Sequence, residues 1–177
     1  MERPVTVTVR IAVPSDLPSI SAIESLSFSN PWQPDTFRSL LTRDRVKVLI
    51  ADRGGEVVGY AVLWWVLDQG ELANLAVHPD SQGMGTGARL LDQVISEAKR
   101  VNIESLFLEV RESNEKAKRL YARRGFVQVS VRRGYYRNPP EDACILVKNL
   151  ASSPRSEPDG SLGRPREGSP DHTVRNR

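Results

Sequence analysis

Apolar and polar residues alternate at the start of the chain, where Val5, Val7, Val9 and Ile11 share one side, as a half-buried strand requires. The period then lengthens. Leu17, Ile20, Ile23 and Leu26 fall three apart, which predicts one apolar helix face capped by Ser15 or Asp16. Pro31-Trp32 breaks the chain, and Pro34 suits the first turn of a second short helix through Leu41. VKVLIADR, a Gly54-Gly55 turn and EVVGYAVLWWVLD predict a hairpin, and ELANLAVHP a further strand. After a glycine-rich segment, Leu90, Leu91, Val94, Ile95 and Ala98 line one face of a long helix. IESLFLEV is almost wholly apolar, as a strand buried on both faces would be. A helix from Asn114 to Arg124, closed by Gly125, precedes two last strands, FVQVSVRR and DACILVKNL. The order is strand, two helices, three strands, helix, strand, helix, two strands. That is a mixed α/β domain in one unit.

The pattern stops after Leu150. Residues 151–177 are rich in Pro, Ser, Gly and Arg, with Leu162 and Val174 as their only sizeable apolar side chains. Such a segment cannot offset roughly 1–2 kcal/mol of backbone entropy per residue. The expected organisation is therefore a domain over residues 1–150 and a disordered tail over 151–177. Composition adds little: 39% hydrophobic and 27% charged residues describe an ordinary soluble protein. A net charge of +3 suits an anionic ligand, but direct nucleic-acid binding is not expected from so mild an excess. Cys144 stands alone and only two histidines are present, so neither a disulfide nor a metal site is expected. No signal peptide or membrane span is visible, and the expected location is the cytoplasm.

The chemistry concentrates in the glycine segment. Gly83, Gly85 and Gly87 crowd the turn ahead of the long helix. A P-loop would need Lys-Ser or Lys-Thr after the last glycine, where Ala88-Arg89 stands instead. Gly83-x-Gly85-x-x-Ala88 formally fits a dinucleotide fingerprint, but several antiparallel strands precede it and no acid ends the next strand at the right distance. That leaves the dinucleotide reading as a minor alternative to two that fit the spacing better: a tight turn, or an anion site at a helix N-terminus.

The run Gln82-Gly83-Met84-Gly85-Thr86-Gly87 resembles the Gln/Arg-x-x-Gly-x-Gly/Ala motif of the GNAT N-acetyltransferases, and the order of elements is similar to theirs. The resemblance, from about residue 7 to Leu150, implies an α/β GNAT (acyl-CoA N-acyltransferase) fold: one mixed, mostly antiparallel sheet flanked by helices. It implies that this loop, with Ala88, grips the pyrophosphate of acetyl-coenzyme A, and that Leu75-Ala76-Val77 pairs with the pantetheine arm.

Residues alone leave the catalytic groups open. Glu109 ends an apolar strand, where burial would raise a carboxyl toward a general-base range, yet a solvated strand-end acid is also possible. Tyr121 reads as half-buried packing or as a proton donor, and Asn114 as a helix cap. LEVRESNEKAKRLYARRGF resembles the signature of RimI-type N-terminal acetyltransferases. That likeness implies Glu109 as general base, Tyr121 as general acid and Asn114 as a coenzyme A contact. Arg119, Arg123 and Arg124 either assist the coenzyme's phosphates or form a solvated helix face.

The acceptor is harder to read. At pH 7 a free α-amine costs about 1–1.4 kcal/mol to neutralise and a lysine about 4.6, from their ordinary pKa values. FSNPW, with Phe28, Pro31 and Trp32, and RRGYYRNPPED, with Tyr135-Tyr136 in the loop joining the last strands, resemble the substrate loops of Nα-acetyltransferases. The expected substrate is a protein N-terminus, in this subfamily the N-terminal alanine of a small-subunit ribosomal protein. A relaxed N-terminal specificity, a lysine or small-amine acceptor, and a non-catalytic acyl-coenzyme A-binding module are the alternatives.

Overall fold

The computed structural model describes residues 6–151. Val5 and the segment 152–177, with the expectation of a disordered tail, lie outside them. Seven strands form one sheet in the order β1-β2-β3-β4-β5-β7-β6. These are β1 (Val7–Ile11), β2 (Val46–Arg53), β3 (Glu56–Val66), β4 (Gln69–Val77), β5 (Ser105–Arg111), β6 (Val127–Arg137) and β7 (Pro140–Asn149). All neighbours run antiparallel except β4 and β5. Four α-helices, α1 (Leu17–Ser27), α2 (Pro34–Leu40), α3 (Thr86–Arg100) and α4 (Glu115–Ala122), complete the predicted order.

Side-chain alternation sorts the sheet into two cores. On one face, Leu49, Ala61, Leu63 and Leu72 pack with Leu90, Leu91, Val94 and Ala98 of α3 and with Tyr121 of α4. On the other, Val48, Ile50, Tyr60 and Val62 pack against Leu17, Ile20, Ile23 and Phe37 of α1 and α2. Leu26, the fourth residue of the expected α1 face, is instead 59% exposed, in the last turn of a helix that ends at Ser27.

Asp16 stands at the N-cap of α1 but does not cap it with its side chain. Its carboxylate turns backwards, accepting from the Val13 N–H at 2.8 Å and from Arg10 Nη1 and Nη2 at 2.8 and 2.9 Å. The Arg10 hydrogen bonds hold the buried Asp16 carboxyl below its ordinary value, against the opposing effect of burial. A carboxyl depressed on folding stabilises the fold above its unfolded pKa, and that contribution fades as pH falls through the folded value. Asp16→Asn is therefore expected to cost about 1–3 kcal/mol near neutral pH, and progressively less as pH falls below the ordinary carboxyl range. Urea unfolding at neutral and at acid pH checks it.

β5 departs from its expected double burial. Leu106, Leu108 and Val110 enter the core, while Phe107, Glu109 and Arg111 are half-buried on the opposite face. Apolar composition at Phe107 hid an alternating strand.

The divergence of β4 and β5 opens the sheet. The two strands pair only from Gln69↔Ser105 to Glu71↔Phe107. A register shift between β3 and β4 at Val62/Leu63 then turns β4 outward, as a bulge bends a strand. From Leu72 onward β4 has no β5 partner among the described residues.

Candidate active site

On the α3–α4 side of this opening lies a groove of about 590 Å³, within the size range of small-molecule sites. Leu75, Ala76 and Val77 of β4 form one wall, Gln82, Gly83, Gly85, Thr86, Gly87 and Ala88 its end, and Asn114, Lys116, Ala117, Arg119, Leu120, Arg123 and Arg124 of the α4 region the other. Phe28 reaches the same groove from the end of α1. Ten of the expected coenzyme residues thus converge on one cleft. Met84, the eleventh, does not line it and is 67% exposed; its side chain points away while its backbone continues the loop.

The loop's shape explains its glycines in part. Gly83 and Gly85 take φ of 79° and 81°, a left-handed conformation that costs other residues roughly 1–2 kcal/mol. A Cβ at either would meet nothing within 4 Å, so conformation rather than internal packing selects them. Gly85 is also the N-cap of α3, and Arg89 N–H is bonded to Gly85 O at 3.1 Å. The preceding N–H groups of the first turn have no place in the intrahelical ladder. They and the helix dipole favour an anion. Arg119 and Arg123 stand exposed on the groove wall, whereas Arg124 is bound to Asp92 Oδ1 at 3.0 Å. Gln82 fixes the end of the groove, donating to Val77 O at 3.1 Å and accepting from Lys116 Nζ at 3.2 Å. Asn114 caps α4 by accepting from the Ala117 N–H at 3.1 Å and lines the groove too.

Glu109 lies on the α1–α2 face, with its side chain 12% exposed. Oε1 accepts from Arg132 Nη1 at 2.7 Å, while Oε2 is buried with no hydrogen-bond partner among the described residues. A carboxylate oxygen left bare in this way is costly unless something else meets it. Tyr121 is buried beneath the other face, edge-on to Phe126 at 5.7 Å, and burial pushes its phenol up to about 12. Burial raises the Tyr136 phenol, the charge of Glu109 adds to that, Arg111 opposes it, and Tyr121 contributes more weakly.

Tyr135 and Tyr136 are not in a loop, as the turn-rich sequence around them suggested. They belong to β6, which pairs as far as Arg137↔Pro140 and leaves only a tight turn. Tyr136 is buried beneath Arg111, whose guanidinium lies 4.1 Å from its ring centroid. Arg132 stands 5.0 Å from the Tyr135 ring. The segment of Phe28, Pro31 and Trp32 approaches this turn, with Ser29 Oγ donating to Asn138 O at 2.7 Å. Trp32 is buried against Phe37 and stacks on Trp64 at 6.1 Å.

A buried polar knot holds that segment. Glu24 accepts from the Trp32 N–H at 2.7 Å, from Asn74 Nδ2 at 3.1 Å and from the Tyr60 hydroxyl. Glu24, Arg132 and Arg111 were not among the sequence candidates. Glu24 follows Ile20 by four, on the apolar face of α1, and an acid at such a position was the available signal. Arg132 could be assigned no partner without the strand pairing.

Among the described residues no helix is long and apolar enough to cross a membrane. The sequence pattern of the acetyltransferase (GNAT) family matches residues 17–126. The ribosomal protein bS18-alanine N-acetyltransferase of Escherichia coli (strain K12) is 36% identical over 135 residues, covering 75% of this chain and 90% of that protein. The same-named protein of Haemophilus influenzae is 33% identical over 135 residues, 75% of this chain and 91% of its own. The crystal structure of the ribosomal-protein-S18-alanine N-acetyltransferase from Escherichia coli superposes with a TM-score of 0.78 at 32% identity, covering 87% of this chain and all 100% of that one. Ard1 from Thermoplasma volcanium gives a TM-score of 0.75 at 25% identity over 82% and 99% of the two chains. Fold, groove and likeness agree: the chain belongs to the GNAT family of acetyltransferases.

Proposed function

We propose that this protein transfers the acetyl group of acetyl-coenzyme A to a protein N-terminal amine, in the first instance the N-terminal alanine of a small-subunit ribosomal protein, in the cytoplasm. The observation that carries the reading is the pairing of two half-sites across the β4–β5 opening. One is an anion-favouring groove; the other is a half-buried carboxylate under an aromatic segment. The relatives named as alanine acetyltransferases support the choice of acceptor.

The residues fit the coenzyme. The N–H groups of Gly85 to Ala88, with Arg119 and Arg123, would hold its phosphates, and the unpaired edge of β4 its pantetheine. The coenzyme supplies an acetyl group activated as a thioester. Glu109 Oε2 takes the proton released as the α-nitrogen attacks, directly or through one water. Backbone N–H groups near Val77 face the developing oxyanion. Tyr121 holds its proton across the physiological range and presents it to the leaving sulfur.

Removing the basic wall should affect binding alone. The double variant Arg119→Ala/Arg123→Ala is expected to raise the acetyl-coenzyme A KM by about 5- to 30-fold at low salt, as two partly screened charge contacts imply, with kcat unchanged. Steady-state kinetics at two ionic strengths read this out. The function itself is tested by intact-mass measurement of a ribosomal protein and of peptides beginning Ala, Ser and Met. A gain of one acetyl confined to Ala supports the ribosomal reading, equal gain on all three a broader N-terminal specificity, and no gain on any overturns both.

A further inference from the structure

The strand pairing places a second carboxylate beside Glu109. Glu71 is the last residue of β4 to pair with β5, opposite Phe107, and Glu109 follows Phe107 by two on the same face. It is half-buried among aromatic groups. Its Oε2 accepts from Trp64 Nε1 at 2.9 Å, and Trp64 stacks on Trp32 of the acceptor segment. Burial is the main influence raising the Glu71 carboxyl, the Trp64 hydrogen bond opposes it, Glu109 raises it further and Arg132 lowers it. The same two groups, Glu109 and Arg132, are each other's ion-pair partners at 2.7 Å. Arg111 is otherwise engaged, with Glu141 at 3.1 Å and with the carbonyls of Asn138 and Pro139.

The local charge is therefore unbalanced. Glu109 pairs with the guanidinium of Arg132, while Glu71 is held by the neutral Trp64 N–H and has no salt bridge among the described residues. A buried carboxylate with too little positive charge nearby is stabilised when a cation arrives. The acceptor in the proposed reaction arrives as a cation, because an α-amine is mostly protonated at pH 7. The Trp64 N–H holds one oxygen of Glu71 in place at little entropic cost.

We infer that Glu71 is a second acceptor-binding residue: with Glu109 it receives the incoming N-terminus as its ammonium, at the point where β4 and β5 part. This rests on the N-terminal acetylation reading above. The proton that leaves nitrogen goes to Glu109. Charge recognition is thus separated from proton removal, and the two carboxylates should differ in kinetic signature.

The test compares wild type with Glu71→Gln, in which the amide oxygen can still accept from Trp64. Glu71→Ser, a smaller neutral residue, carries the same expectation should the first variant fold poorly. The substrate is a peptide beginning with alanine. Its inhibitory analogue carries a propionyl group in place of that residue and so lacks the ammonium. The peptide KM is expected to rise at least tenfold, with the acetyl-coenzyme A KM and melting temperature unchanged and the inhibition constant of the analogue within twofold of wild type. Glu71→Asp should recover part of the loss. A peptide KM within twofold of wild type overturns the inference, and so does equal weakening of peptide and analogue, which would mean a role in shape alone. If the wild type itself leaves the α-nitrogen unmodified, the underlying reading falls first and this inference with it.

Discussion

Glu109→Gln is expected to lower kcat by about 10²- to 10⁴-fold, the usual range for loss of a positioned general base. Glutamine keeps the size of the side chain, and its amide oxygen can still accept from Arg132, which bonds Oε1 at 2.7 Å. What it cannot do is take a proton at the position of Oε2, the buried oxygen without a partner. The acetyl-coenzyme A KM should hardly change, because Glu109 is not among the residues lining the coenzyme groove. The residual rate of the variant should climb with pH through the α-amine range, about 7.7–8.0, as solvent removes the proton instead. Steady-state measurement of coenzyme thiol release from pH 6 to 9.5 tests both points. An unchanged kcat in a folded variant removes Glu109 from the mechanism.

Tyr121→Phe is expected to lower kcat by about 10²-fold, near the lower end for acid–base catalysis. The physical reason is the phenol's own acidity. Burial raises it to about 12, well above the roughly 8.5 of an ordinary thiol. Full proton transfer is then poorly matched, so under the proposed mechanism the hydroxyl would act largely by hydrogen bonding to the sulfur as charge builds there. The sign of the pH effect follows. A phenol raised by burial stays neutral below about 12, so wild-type activity should show no alkaline decline from Tyr121 before about pH 11. The packing against Phe126 at 5.7 Å is retained in the variant, so its melting temperature should stay close to wild type. A decline near pH 9 that vanishes in Tyr121→Phe would contradict the assignment of a buried phenol.

Most of the fold could be read from periodicity, because each element has a face that must be buried. The spacing of Leu90, Leu91, Val94 and Ala98 marked α3, and all of them are core residues. The apolar run of VKVLIADR ahead of the Gly54-Gly55 turn marked β2, which spans those same residues, Val46–Arg53. β6 was cut short for the opposite reason. From Val127 to Gly134 it is exposed throughout, so no apolar pattern carries it into Tyr135 and Tyr136. Its pairing with β7 supplies what its own composition does not. Phe107 misled in the other direction: an apolar residue on a half-open face made β5 look doubly buried.

The groove residues were legible because they are contiguous. Gln82 to Ala88 run without a break from a loop into the first turn of α3, and the glycines at the left-handed positions announce it. The acceptor side is assembled from distant strands, and only part of it was visible. Glu109 stood out as an acid in an apolar strand, but its partner Arg132 comes from β6. Glu71 lies across a short parallel pairing from Phe107. No local pattern relates these residues; the register of the sheet does.

Transfer to an α-nitrogen is decided by tandem mass spectrometry of one peptide, beginning with alanine and carrying an internal lysine, after incubation with the full chain and acetyl-coenzyme A. Acetyl is expected on the first residue's nitrogen, none on the lysine, and no product when the N-terminus is already blocked. Acetyl on the lysine side chain, with the α-amine untouched, would contradict it.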